Sequence, residues 1–231
     1  MAKDAALVID SITITNGDPG VVNEGSLDVY RSTIAFNGSH QGGAGIYNSG
    51  PGSRVYLQDS TVNDNGSHHG PGAGISNADG FVEIVFSTIY NNWISPDTSY
   101  GGGGIANGSS NAVNEKGELV VEGGTLSIAN STIYGNVDHG IDRPFPHAGG
   151  IVNDGTGEVW LGNVTITNNM GSNFTDKMGQ EVYYSGGVFS SEDSGGLHFF
   201  NTIIAGNGRD YLGPDCGGIR VLFGWQPPGR P

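Results

Sequence analysis

Three histidines stand at the same offset in this chain. His40, His68 and His139 each lie three residues after an asparagine, Asn37, Asn65 and Asn136, and Ser95 holds that place after Asn92. The glycine-rich intervals around them also carry His69, Trp93, Asp97, Tyr100, Asp138, Asp142, Arg143, His147, Asp176, Lys177, Tyr183 and Tyr184. Carboxylates beside histidines can move protons at a reacting bond. Aspartates converging from one stretch can hold Ca²⁺ through oxygen. Aromatic rings can stack on sugar rings, and a pair of carboxyl groups can act on a glycosidic bond. Asp138, His139, Asp142, Arg143 and Lys177 are the candidates for catalysis. His40, His68, Trp93, Tyr100, His147, Tyr183 and Tyr184 are the candidates for ligand contact, and Asp138, Asp142 and Asp176 for Ca²⁺. Solvated loops gather the same residue types for no chemical purpose.

What positions these residues is a repeat. Five residues separate Ile9 from Ile14, Val29 from Ile34, Leu57 from Val62, Ile84 from Ile89, Ile128 from Ile133, Leu161 from Ile166 and Phe199 from Ile204. Two residues before each first member sits another apolar one: Leu7, Leu27, Val55, Val82, Leu126, Val159 and Leu197. A third piece recurs between copies, as in Gly45-Ile46-Tyr47-Asn48 and Gly150-Ile151-Val152-Asn153. Alternation with period two means strand. Seven copies of three short strands predict a parallel β-helix, a solenoid in which each coil packs on its neighbours. The first coil starts near Leu7 and the seventh at Leu197. The apolar residues named point inward. Val8, Asp28, Tyr56, Glu83, Ser127, Trp160 and His198 point outward, as do Thr13, Thr33, Thr61, Thr88, Thr132 and Thr165. Asn130, Asn163 and Asn201 fall in one bend and can bond from coil to coil.

The interval between the central residue and the third strand lengthens along the chain. It is 7 from Ile14 to Val21, 12 from Ile34 to Ile46, 13 from Val62 to Ile75, 16 from Ile89 to Ile105, 18 from Ile133 to Ile151 and 22 from Ile166 to Val188. In a stack these loops fall on one edge and build one wall. A separate insertion, about residues 108–124, belongs to another edge. It leaves one ambiguity, since Leu119-Val120-Val121 competes with Leu126-Ser127-Ile128 for the strand of coil five. Residues 1–216 read as one β-helix domain, and 217–231 as an irregular tail rich in Pro and Gly.

Composition narrows the partners. The chain has 231 residues, 42 glycines, 9 Lys plus Arg, 23 Asp plus Glu and a formal charge of −14. That charge opposes nucleic acid and anionic membrane surfaces. The glycines occupy fixed places in the repeat and so mark turns and crowded corners. A single cysteine, Cys216, excludes an internal disulfide, and no apolar run is long enough to span a membrane. Six Asn-x-Ser/Thr sequences, at Asn37, Asn65, Asn107, Asn130, Asn163 and Asn173, follow from the turn chemistry of the repeat. The threonine column lacks the paired partner column of an ice-binding plane. The glycine runs continue into Ile-x-Asn without the aspartate of a Ca²⁺ roll. No glycine run leads to Lys-Ser/Thr, and Cys216 has no zinc-ligand pattern.

The Gly-Gly-x-Ile-x-Asn and Ser-Thr-Ile-x-x-Asn pairs resemble bacterial right-handed parallel β-helix repeat proteins. They are also similar to the repeats of polymorphic outer-membrane proteins. The stretch from Asn201 to Asn207, then Gly213 to Cys216, resembles the last coil of surface proteins with a choice-of-anchor region. The resemblance covers nearly the whole chain and implies a right-handed coil and an extracellular or cell-surface setting. It speaks for the fold more than for function, because this fold hosts lyases, hydrolases, epimerases and adhesins. Two expectations follow: a surface β-helix that binds a polysaccharide or cell-surface glycan through the loop wall, or a polysaccharide lyase or glycoside hydrolase acting there. No cofactor is required by the first, and the second invites Ca²⁺. The ligand is expected between Trp93 and Tyr184, where the wall is tallest.

Overall fold

The computed structural model describes residues 1–40, 42–97, 101–113, 119–140, 147–175, 181–191, 194–208 and 214–217. It is a right-handed parallel β-helix of seven coils. Three parallel sheets of seven strands run the length of the stack. The first extends from Ala6–Asp10 to Gly196–Phe200, the second from Thr13–Ile14 to Ile203–Ile204, and the third from Val21–Asn23 to Cys216–Gly217. Each strand pairs in register with its counterpart one coil away. The central column Ile14, Ile34, Val62, Ile89, Ile133, Ile166 and Ile204 is continuous. Ile89 therefore pairs with Ile133, and Thr125–Ala129 is the coil-five strand. Leu119–Glu122 instead pairs antiparallel with Ser109–Val113, so the insertion forms its own hairpin.

The core is one side chain thick. Leu27, Val29, Val55, Leu57, Val82, Ile84, Leu126 and Ile128 of the first sheet are closed to solvent, as are Ile34, Val62, Ile89, Ile133 and Ile166 of the second. Leu7 and Phe199 alternate correctly but remain 44% and 40% exposed. Both belong to terminal coils, which lack a described neighbour on one side.

Two bends per coil bring the chain from the first sheet to the second and out of the second. Every residue at the first bend adopts the left-handed conformation: Ser11, Arg31, Asp59, Phe86, Asn130, Asn163 and Asn201 have φ between 45° and 57°. Asn and Asp tolerate this region and large side chains do not. Arg31 and Phe86 are the large side chains in this bend, and Phe86 is 59% exposed and one coil away from Asn130. Phe86→Asn is expected to raise stability by about 1 kcal/mol and the melting temperature by about 2–4 °C, read by thermal unfolding.

Asparagine ladders satisfy what the bends leave open. Asn37, Asn65, Asn92, Asn136, Asn169 and Asn207 each pass an amide hydrogen to the next side-chain oxygen, and the series ends on Asp215. A second ladder runs Asn23, Asn48, Asn77, Asn107, Asn153 and Ser190 beside the third sheet. Asn163 bonds Asn130, and Asn201 bonds Asn163, as the spacing suggested, but this third series is exposed. Asn37, Asn65 and Asn107 are buried in ladders, so a glycan cannot be carried there.

A fourth parallel sheet was not legible in the repeat. It joins Gly38–Ser39, Gly66–Ser67, Trp93–Ile94 and Val137–Asp138 of coils two to five, just where the loop wall begins. Among the described residues there is no helix long and apolar enough to cross a membrane.

Candidate functional site

The fourth sheet sorts the wall residues into two layers. Its strands are two residues long, so one residue of each faces in and the other faces out. Ser39, Ser67, Ile94 and Asp138 face in and are buried. They pin the loops that follow. The Ser39 hydroxyl donates to Gly42 O at 2.9 Å, and the Ser67 hydroxyl to Gly70 O at 2.7 Å. Asp138 does the same work with a carboxylate, whose Oδ1 accepts the Gly140 amide at 2.8 Å.

The other oxygen of Asp138 meets His147 Nδ1 at 2.8 Å. Both side chains are closed to solvent. The His147 ring packs against Tyr184 with centroids 4.6 Å apart and planes at 46°. A Cβ on Gly101 would lie 2.0 Å from Asp138 Oδ2, so the coil-four loop comes close only because residue 101 has no side chain. Loops of coils four, five and six thus close around one imidazole. Burial, then the charge of Asp138, pushes the Tyr184 hydroxyl above the ordinary tyrosine range. In the tautomer with its proton on Nδ1 the ring donates to Asp138 Oδ2, and Nε2 is then the acceptor nitrogen. That nitrogen is buried with no hydrogen-bond partner in the protein. An oriented imidazole of this kind can serve as a base, but the pair is sealed, and a polymer does not reach it as arranged.

The outward layer is different. Gly38, Gly66, Trp93 and Val137 are aligned across four coils. Gly66 has no side chain, and the Trp93 indole takes that space: a Cβ on Gly66 would lie 2.3 Å from Trp93 Cζ2. His68 meets the indole edge to face, with centroids 5.4 Å apart and planes at 87°. Trp93 is fixed in this way yet stays 38% exposed. His40 continues the row, 5.5 Å from His68 and 6.0 Å from His69. Asp18 lies 3.7 Å from His40 on the open surface. A pair this exposed contributes little.

The structure therefore brings His40, His68 and Trp93 together on the surface, and Asp138, His147 and Tyr184 together beneath it. His139 is exposed beside Asp138 along the chain, with its amide bonded to Ile94 O. Tyr183 ends the strand Glu181–Tyr183 of a hairpin with Asn173–Thr175. Tyr100, Asp142, Arg143, Asp176 and Lys177 lie outside the described residues. Of the Ca²⁺ candidates, Asp138 is committed to Gly140 and His147. Among the described residues, no group of three or more His, Cys, Asp or Glu side chains is arranged to hold a metal ion.

The role of Gly66 could have been found by aligning Asn37-Gly-Ser, Asn65-Gly-Ser and Asn92-Trp-Ile, which show a tryptophan entering a glycine column. Aromatic pairs elsewhere cover each other. Tyr90 and Tyr134 stack face to face on the second sheet at 5.0 Å and 2°, and Trp160 stacks on His198 at 3.8 Å and 7°. At the last coil, burial, then Asp215, pushes the Cys216 thiol up to about 11, so it is not a ready nucleophile. No protein family, curated protein or solved structure matches the chain.

Proposed function

We propose that this protein is a glycan-binding β-helix of an extracellular or cell surface, in the manner of the bacterial surface repeat proteins that its motifs resemble. The observation that carries this reading is Trp93. A large aromatic held half-exposed against Gly66 and His68 is prepared for contact, because its orientation is already fixed before a ligand arrives. His40, exposed in the next coil, can offer a hydrogen bond to a hydroxyl group. Trp93 belongs to the fourth sheet, and His40 and His68 follow directly on its strands Gly38–Ser39 and Gly66–Ser67.

Binding to a panel of soluble polysaccharides, followed by affinity electrophoresis or calorimetry, tests the reading. Trp93→Ala is expected to weaken binding about tenfold or more, which corresponds to ~1.4 kcal/mol. Trp93→Phe is expected to retain most of it. Unchanged affinity in Trp93→Ala removes the platform from consideration. The buried Asp138–His147 pair is the one feature that favours a second reading, a lyase or hydrolase. Release of unsaturated products or new reducing ends from the same panel, lost in His147→Gln, would establish that activity instead.

A further inference from the structure

Resting on the glycan-binding reading, we propose that the ligand is a neutral, extended glycan chain that lies along the coil axis over Gly38, Gly66 and Trp93.

The outward positions of the fourth sheet form a descending surface. Trp93 fills the space over Gly66, but a Cβ placed on Gly38 would meet nothing within 4 Å. The surface therefore steps down from the indole of coil four to an open notch at coil two. His68 and His40, both exposed, stand beside the two glycines along this step. A notch of this form is open at the glycine and lined by rings on its flank.

The spacing selects a direction. His68 and His40 follow one another along the axis at 5.5 Å, close to the parallel strand separation of ~4.8 Å, while the Trp93 indole, lying over Gly66 of coil three, meets His68 from the side. One sugar unit of an extended chain advances by a similar distance. A chain along the coil axis that rests on the indole over Gly66 therefore reaches the Gly38 notch with its next unit and passes His68 and then His40, whereas a chain across the axis misses both the notch and His40.

The charge selects a neutral chain. The protein carries a formal −14. The described basic side chains with partners lie on other faces: Arg31 with Asp10 at a bend, and Arg54 with Asp28 and Glu83 on the first sheet. The carboxylate on the platform is Asp18, beside His40. A uronate would approach a protein of formal charge −14 that carries Asp18 beside His40.

The test uses the full chain, calorimetry, and two series from disaccharide to hexasaccharide: neutral β-linked gluco-, manno- and xylo-oligosaccharides, and oligouronates. Gly38→Val narrows the notch: a Cβ there meets nothing within 4 Å, and the φ of residue 38 lies outside the left-handed region. Affinity is expected to rise with length and level off once the chain spans coils two to four, at about a trisaccharide. Gly38→Val is expected to lose that gain, about tenfold, while disaccharide binding and thermal unfolding stay unchanged. Oligouronates are expected to bind at least about tenfold more weakly. Affinity independent of length, a Gly38→Val protein that binds every length as the parent does, or oligouronates that bind equally well would each overturn the proposal. If Trp93→Ala still weakens binding in that case, the platform stands and only the axial neutral chain is wrong. If no glycan binds, the platform reading falls and this proposal with it.

Discussion

Asn136→Asp is expected to lower the unfolding free energy by about 3–5 kcal/mol at neutral pH, because it places an uncompensated charge in the buried ladder. Asn136 Oδ1 accepts from the amide and the side chain of Asn92, at 3.0 Å and 2.9 Å. Its Nδ2 donates to Ile89 O at 3.0 Å and to Asn169 Oδ1 at 2.9 Å. A carboxylate can accept from Asn92 but cannot donate to Ile89 or Asn169. It would instead face both of those oxygens with no water to separate them, since residue 136 is closed to solvent. Asn136→Ala loses the Ile89 and Asn92 contacts without adding charge and should cost roughly 1–3 kcal/mol for each orphaned group.

The pH dependence separates the two variants. Burial raises the pKa of the new carboxyl in the folded state. The folded Asn136→Asp protein therefore binds the proton that the unfolded chain releases, and its stability falls as pH rises. Urea unfolding of Asn136→Asp should improve on acidification, where a protonated carboxyl can again donate, while Asn136→Ala should show no such gain relative to the parent. The parent shows why the order matters. Its ladder does contain an aspartate, Asp215, but at the end, where the side chain accepts from Asn207 N and Nδ2 at 2.7 Å and 2.9 Å.

Ile133→Ala is expected to cost ~2–5 kcal/mol, since it opens a cavity in a core one side chain thick. Ile133 lies between Ile89 and Ile166 in the central column and is closed to solvent. The backbone of a coil is tied above and below by strand pairing, so it cannot collapse into the gap. Thr132→Ala, one residue away on the outer face between Thr88 and Thr165, should cost under ~1 kcal/mol. Denaturant unfolding of both proteins checks the assignment, and equal losses would mean that the faces of the second sheet are reversed.

The sequence alone determined the coil. Inward and outward residues alternate within a strand, and the strand above is always the corresponding strand of the next repeat. Both the pattern and its partner can thus be found by local reading. That is why Ile133 could be assigned to the interior, whereas the competition between Leu119-Val120-Val121 and Leu126-Ser127-Ile128 ended only with the pairing of Thr125–Ala129 to Phe81–Val85. The lengthening loops were legible for the same reason, as insertions between fixed marks.

Only the tertiary structure decided what the loops do. A strand of two residues shows no period, so the fourth sheet was invisible, and with it the sorting of Asp138 inward and Trp93 outward. Asp138 and His139 are neighbours in sequence, yet one is sealed and the other exposed. His147 was a candidate for ligand contact, and Asp138, Gly101 and Tyr184, from three coils, close around it. Trp93 finds its seat on Gly66, one coil below, and its edge on His68. Such contacts depend on register between coils and on the path of each loop, which local alternation does not encode. The repeat fixes the height at which each loop leaves the stack. Packing among the loops then settles which side chains are buried as supports and which remain on the surface.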